Sequence, residues 1–274
     1  MRVLPRKGLS RALGAVTRVG APKSGVERAI DVFVRAYDVD LSEAVRPEGG
    51  YATFNDFFTR RLVPGARPID PAVESIVSPS DGSLEALGLV GDDSSFEIKG
   101  KRYTPAELLG SERLAEAFRG GAHGTIYLSP RDYHRVHAPV SGRVLSVEYV
   151  AGTLYPVNSI GTEYVDGLFA RNERVCVVQE SETHGLVATI LVGAIGVGRM
   201  SLAFEDLVTN AGTPARRIEY GEDGPFLEKG QELGIFNLGS TVIFFVDGRC
   251  KLDLEARVGT PVRMGERIAT GRIT

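Results

Sequence analysis

Cysteine, histidine and long apolar runs are all scarce in this chain. Two cysteines, Cys176 and Cys250, are too few for a disulfide framework or a cysteine-rich zinc site. Four histidines, His123, His134, His137 and His184, leave few candidates for imidazole chemistry. The longest apolar stretch, Leu186 to Gly198, is broken by glycines and falls short of the ~20 residues that cross a bilayer. No compact apolar segment with a cleavage site opens the chain, so no secretory leader is expected. Neither sign of charge dominates. Lys and Arg number 32 against 35 Asp and Glu, a net −3 that excludes a whole-protein basic field for nucleic acid. What is present is ordinary globular material, 43% hydrophobic and 24% charged over 274 residues, enough for one large domain or a small and a large one.

The charge is unevenly spread. Residues 1–35 carry eight basic and two acidic side chains, a local +6 against −9 for the rest. Leu4, Leu9, Leu13 and Val16 alternate with arginines, which suits either a helix lying on an anionic membrane or one docked on its own domain. Ser24 and Glu27 have the spacing of a capping box, and Val26, Ala29, Ile30, Phe33, Val34 and Tyr37 then mark one helical face. Thr53 with Asp56 opens a second helix, expected to run through FNDFFTRRL to Pro64-Gly65. From Ser75 onward the pattern is strand-like, with runs at Gly124–Leu128, Arg143–Val150, Arg174–Gln179, Leu186–Val192 and Thr241–Val246. Short helices are expected after Thr104-Pro105 and over Ser111–Arg119. The fold class is therefore α+β, mainly β: a helical N-terminal region over 1–70, facing a membrane, then an antiparallel β-sandwich or barrel-sandwich-like catalytic domain over 71–274. The turn rhythm at 258–269 is that of biotinyl and lipoyl modules, but the carrier lysine at a hairpin tip is missing.

Three segments can carry chemistry. His134 and His137 lie in YLSPRDYHRVH at 127–137, bracketed by Pro130 and Pro139. On an extended strand their odd spacing sends the rings to opposite faces, so a shared metal requires a bend and two separate roles do not. A pair of packing histidines fits the same pattern. Asp81 precedes Gly82, which suits simple turn chemistry as well as a functional carboxylate. Gly239-Ser240 leads into the most apolar strand of the chain, either as a strand entry or as a flexible glycine before a nucleophile.

These segments occur together with TFNDFFTRRL at 53–62, PGARPI at 64–69, SPSDG at 78–82, LFARNERV at 168–175 and FNLGSTVI at 236–243. In that order they span most of the chain, which resembles the phosphatidylserine decarboxylase proenzymes. The resemblance implies self-cleavage between Gly239 and Ser240 into a β chain, 1–239, and an α chain, 240–274, that stay associated. It implies that Ser240 becomes a covalent pyruvoyl group, the sole cofactor, which forms a Schiff base with phosphatidylserine and releases CO2 to leave phosphatidylethanolamine. Asp81, His137 and Ser240 would form the charge-relay triad for cleavage, with no metal. His134 would return the proton after decarboxylation. Arg131, Arg135 and Arg199 would meet the substrate carboxylate or phosphate, and Asn237 and Thr241 flank the scissile bond. His123 and His184 are left as structural. The implied partner is phosphatidylserine in an anionic membrane, with a homodimer left open and no nucleic acid. The implied place is the cytoplasmic side of a bacterial cell membrane, held peripherally. Two rivals remain: a zinc hydrolase ligated by Asp81, His134 and His137, and a noncatalytic β-module.

Overall fold

The computed structural model describes residues 22–195, 199–211, 214–237 and 240–274. The amphipathic segment before Pro22 therefore lies outside the described residues, as does Gly239. The first helices are α1 (Lys23–Tyr37) and α2 (Phe54–Phe58), followed by α3 (Pro105–Leu109), α4 (Glu112–Glu116), α5 (Ser159–Tyr164) and α6 (Leu168–Arg171). The strands begin with β1 (Ser75–Val77), β2 (Gly82–Leu89), β3 (Phe96–Ile98), β4 (Lys101–Tyr103), β5 (Ala122–Leu128) and β6 (Arg135–His137). Then come β7 (Gly142–Val150), β8 (Arg174–Ser181), β9 (Gly185–Gly193), β10 (Met200–Leu202), β11 (Arg216–Glu219) and β12 (Phe226–Leu227). The last are β13 (Glu232–Phe236), β14 (Ser240–Val246), β15 (Cys250–Leu254), β16 (Pro261–Val262) and β17 (Arg267–Ile273).

The chain is mainly β, in antiparallel sheets that do not close into a barrel. The largest sheet runs β11-β7-β8-β9-β14-β5-β2-β16, with β12 added on β7. Its centre is β14, whose residues from Val242 to Val246 are all buried. A near-continuous apolar run is what a strand covered on both faces requires. β14 pairs with β5 on one side and β9 on the other, Ser240 lying opposite both Leu128 and Gly193. Two three-stranded sheets, β1-β17-β15 and β10-β13-β6, complete the frame around one large aliphatic core. All five expected strands form.

The helical expectations need correction at two places. α1 begins at Lys23 with Pro22 as its cap residue and no side-chain capping bond, so Ser24 sits inside the helix and the Ser24–Glu27 capping box is not made. Proline suits a helix entry because it fixes φ and lacks the donor that would go unpaired. α2 does open with a reciprocal Thr53–Asp56 capping box but ends at Phe58, far short of Pro64. Residues beyond it take an extended path: Leu62 bridges to Ala44, and the Arg61 carbonyl accepts from Val45 N–H. The Thr104 cap forms as expected, and within the expected Ser111–Arg119 stretch the helix covers only Glu112–Glu116, capped by Ser111. α1 and α2 enclose a small cluster of their own, Val26, Ile30, Val39, Phe57 and Phe58, separate from the main core. Among the described residues no helix is long and apolar enough to cross a membrane.

Candidate functional site

The turn before β6 delivers the two histidines. The Asp132 carboxylate accepts from Ser129 N–H at 2.7 Å while Asp132 N–H donates back to the Ser129 carbonyl at 3.0 Å. That closed turn after Pro130 aims Tyr133 and His134 inward. Burial pushes the Asp132 carboxyl above its ordinary value, against the bonds from Ser129.

His134 is fully buried, its ring centroid 4.1 Å from that of Phe58. Its Nδ1 lies 2.8 Å from the Asp132 carbonyl, which can only accept, so the proton sits on Nδ1 and Nε2 carries the lone pair. Among the described residues Nε2 has no partner. Burial holds this imidazole down at about 3, and the nearby Arg60 charge adds to that, while the Asp132 bond opposes it. His134 is therefore neutral, with a buried acceptor that no described residue meets. An orphaned polar atom of this kind costs about 1–3 kcal/mol unless something later meets it.

His137 points elsewhere. Its Nδ1 donates to the Gly230 carbonyl at 2.8 Å and its Nε2 lies 3.2 Å from the Tyr133 hydroxyl. Burial lowers its pKa, against the Gly230 bond and the charges of Glu232 and Asp81. The two rings thus meet different partners, as their odd spacing on an extended backbone predicts. Among the described residues no group of three His, Cys, Asp or Glu side chains converges as a metal site. The zinc-hydrolase rival, which needs Asp81, His134 and His137 together, is thereby removed on its donor geometry.

Asp81 is close to His137 but bonded to other groups. The SPSDG turn lies along β6, where the Pro79 carbonyl accepts His137 N–H at 2.8 Å. Gly82 follows with φ +150, and a Cβ there would stand 2.4 Å from the Tyr127 carbonyl oxygen, so only glycine permits this approach. The Asp81 carboxylate accepts from Arg67 Nε at 2.9 Å, Arg67 Nη2 at 2.6 Å and Met264 N–H at 2.8 Å. Arg67 also reaches Glu43 at 2.6 Å. Burial works against the Arg67 charge, but its bonds to Asp81 and Glu43 outweigh that and raise its pKa. No hydrogen bond joins Asp81 to His137 among the described residues.

A cleft of about 270 Å³ opens beside these groups, lined among others by Arg60, Arg67, Asp81, Arg131, Tyr133 and Arg263. Arg131 is thus on its wall. Arg135 is not, because its guanidinium is tied to Glu232 at 2.7 Å and to the Thr59 carbonyl at 2.9 Å. Arg199 lends its carbonyl to Asn237 N–H at 2.9 Å, which holds the chain just before the expected scissile bond. Phe236 N–H donates to the His134 carbonyl at 3.0 Å. The segment leading to Ser240 is therefore laced to the histidine strand. The Ser240 backbone starts β14, and Thr241 beside it is buried with an unpartnered hydroxyl. His123 stacks on Phe96 in the main core, and His184 bonds the Glu74 carbonyl, both away from the cleft.

Several groups at this site escaped the sequence reading. Arg60, buried with Nη2 on the Arg131 carbonyl, and Arg67 both stand in the segments quoted above, yet a lone arginine there signals nothing. Tyr133 and Gly230 gave no signal at all, being 97 residues apart and joined only by the fold.

A family model for phosphatidylserine decarboxylase matches residues 54–270. The chain is 44% identical over 270 residues to a phosphatidylserine decarboxylase proenzyme of Anaeromyxobacter sp. (strain K), covering 97% of this chain and 95% of that one. It is similar to the proenzymes so named in Myxococcus xanthus, 40% identical over 98% of this chain and 95% of the relative, and Chromobacterium violaceum, 42% over 98% and 96%. The chain belongs to the phosphatidylserine decarboxylase family.

Proposed function

We propose that this chain is a proenzyme that cuts itself between Gly239 and Ser240 and then decarboxylates phosphatidylserine to phosphatidylethanolamine. The observation that carries the reading is the buried Nε2 of His134, which has no partner among the described residues and lies beside the strand that leads to Ser240. In the cleavage, Ser240 Oγ adds to the Gly239 carbonyl and the peptide becomes an ester, its proton passing to His137. Removal of the Ser240 α-proton then expels the Gly239 carboxylate by β-elimination, and water releases the amino nitrogen as ammonia. A positioned base of this kind supplies about 10²–10⁴ in rate. Asp81 contributes a negative charge near His137 that favours its protonated form.

The residues present fit a pyruvoyl group formed at Ser240. No lysine lines the cleft among the described residues, and the orphaned His134 nitrogen is the kind of group a newly formed site would use. The pyruvoyl group supplies an electron sink for the pair left behind when CO2 departs. His134 takes a proton on Nε2 and returns it to the former Cα. A ring held so low gives up that proton readily, and an anionic substrate beside it supplies the field that lets the ring charge first. Arg131, on the cleft wall, would meet the substrate's anionic groups.

After cleavage the 240–274 chain would stay bound, since β14 is hydrogen-bonded on both edges and fills the centre of the main sheet. The +6 charge of residues 1–35 and the exposed Val32 and Tyr37 of α1, beside exposed Arg28 and Arg35, support peripheral contact with an anionic membrane by the 1–70 region. Mass spectrometry of the purified protein tests the whole reading. It should show a 35-residue fragment beginning at position 240 with a blocked N-terminus, absent from Ser240→Ala. Hydroxylamine should inactivate the enzyme and a chelator should not. An uncut wild-type chain that still decarboxylates the lipid ends this account.

A further inference from the structure

We propose that Arg60 is a positioning residue of the decarboxylation, acting on His134 through the Asp132 carbonyl that the two side chains share. Arg60 adds to the decarboxylase reading above, on which its role rests. His134 Nδ1 lies 2.8 Å from that carbonyl oxygen, and Arg60 Nη2 donates to the same oxygen at 3.4 Å. Nη2 also donates to the Arg131 carbonyl at 2.9 Å. One guanidinium thus clamps two successive carbonyls of the turn that sets the ring.

The clamp belongs to a grip that residues 57–60 place on this turn. The Phe58 ring packs on the imidazole, and the Thr59 carbonyl accepts from Arg135 Nε at 2.9 Å, which ties the segment to β6. The Arg60 guanidinium carbon lies 5.5 Å from the centre of the Phe57 ring. Arg60 is only 5% exposed. Its Nε and Nη1 meet no partner among the described residues and its Nη2 meets only carbonyls, so no carboxylate is bonded to it. A buried cation in that state is destabilising, and a neutral amide could hold the same carbonyls without the penalty. The charge itself is therefore what the site uses.

Charge and geometry act on the ring in one direction. Among the described residues Arg60 is the one charged group whose field reaches His134, and it opposes the imidazolium. The Asp132 carboxylate is taken up by Ser129 N–H, and Tyr133 turns to His137. α2 brings the Phe58 ring, and β13 meets the His134 backbone through Phe236 N–H. By drawing on the Asp132 oxygen, Arg60 also weakens the hydrogen bond that favours a charged ring. Loss of Arg60 therefore lets His134 hold a proton more tightly by both routes. A ring that must pass its proton to the former Cα then gives it up more slowly.

Decarboxylation of phosphatidylserine in detergent micelles, expressed per processed chain, tests this. The ring has to be charged before it can return the proton, so the alkaline limb of kcat reports its titration. Arg60→Met and the more conservative Arg60→Gln should both move that limb to higher pH by about 1 unit. Their plateau kcat should fall about threefold to tenfold, with KM within about twofold of wild type. Arg60→Lys, which keeps the charge, should move the limb less. An unmoved limb in the two uncharged variants, or an equal movement in Arg60→Lys, overturns the proposal. So does a large rise in KM with the limb in place, which would make Arg60 a substrate anchor. A second arm needs neither cleavage nor lipid: NMR follows the His134 ring in uncut Ser240→Ala, with and without Arg60→Gln, at the lowest pH at which both stay folded. The ring should be more protonated without Arg60, and equal fractions reject the role. This arm reads the ring alone, so it separates a failure of this inference from a failure of the decarboxylase reading.

Discussion

The two hydrophobic clusters of this molecule are built on different principles. The main core is a broad aliphatic layer across the sheets, whereas the cluster under α1 and α2 has five buried residues and leans on rings. Phe33 meets Phe54, Phe57 and Phe58 nearly edge-on, with centroids 5.1 to 6.1 Å apart. Phe58 then touches the His134 ring, so the small cluster forms one wall of the histidine site. The large core holds the strand to be cut, and the small one shapes what surrounds it. Charge gathers where they meet, at Arg60, Arg67, Asp81 and Glu43.

The sharpest way to break this contrast is a matched pair of deletions. Phe244 lies at the centre of β14 with its ring over Gly124, where an added Cβ would stand 2.3 Å away. Phe244→Ala should cost about 3–5 kcal/mol in denaturant melts, because a close-packed sheet cannot collapse into the void. Phe57 is equally buried, yet Phe57→Ala should leave the main transition largely in place. Its effect should appear instead as faster amide exchange confined to α1 and α2. Equal shifts of the main transition would mean that the two clusters melt as one.

Between the clusters, Arg67 joins Glu43 of the helical side to Asp81 of the β side. Arg67→Met leaves Asp81, whose side chain is only 12% exposed, without its cation, while Glu43 keeps Arg263 at 3.4 Å. The expected loss is about 3 kcal/mol, the lower end for a broken buried pair, since Glu43 can turn to solvent. A loss under about 1 kcal/mol would show that the pair is screened like a surface bridge.

What the sequence disclosed follows the same division. Strands β5, β7, β8, β9 and β14 were legible because a buried strand needs an unbroken run of β-branched and aromatic residues between turns. The Thr53 and Thr104 caps were legible because capping is local. The Ser24 cap misled, since proline at position 22 offers a competing start. The end of α2 misled as well, because Thr59 and Arg60 are drawn off by tertiary bonds, Thr59 through its carbonyl to Arg135 and Arg60 to the carbonyl of Arg131. At the site, spacing alone separated His134 from His137, but their partners Gly230 and Phe58 belong to distant segments that no local pattern connects.

Histidine offers the finest comparison, since one lies in each environment. His123 sits in the main core on Phe96 with Nδ1 unpartnered, and burial lowers it to about 4. His134, beside the small cluster, is lowered to about 3. In both cases the unfolded chain, with histidines near 6.5, binds protons that the folded chain refuses. Stability is therefore full above about pH 6.5, falls as the pH drops below it, and stops falling below the folded values. His123→Phe removes one of these contributions and keeps a ring against Phe96. Its unfolding free energy should lose about 1–2 kcal/mol less than wild type between pH 7 and pH 5, read from denaturant melts at each pH. The slope that remains belongs to His134 and the other lowered histidines, His137 and His184. Identical slopes in the two proteins would mean that His123 protonates inside the folded core.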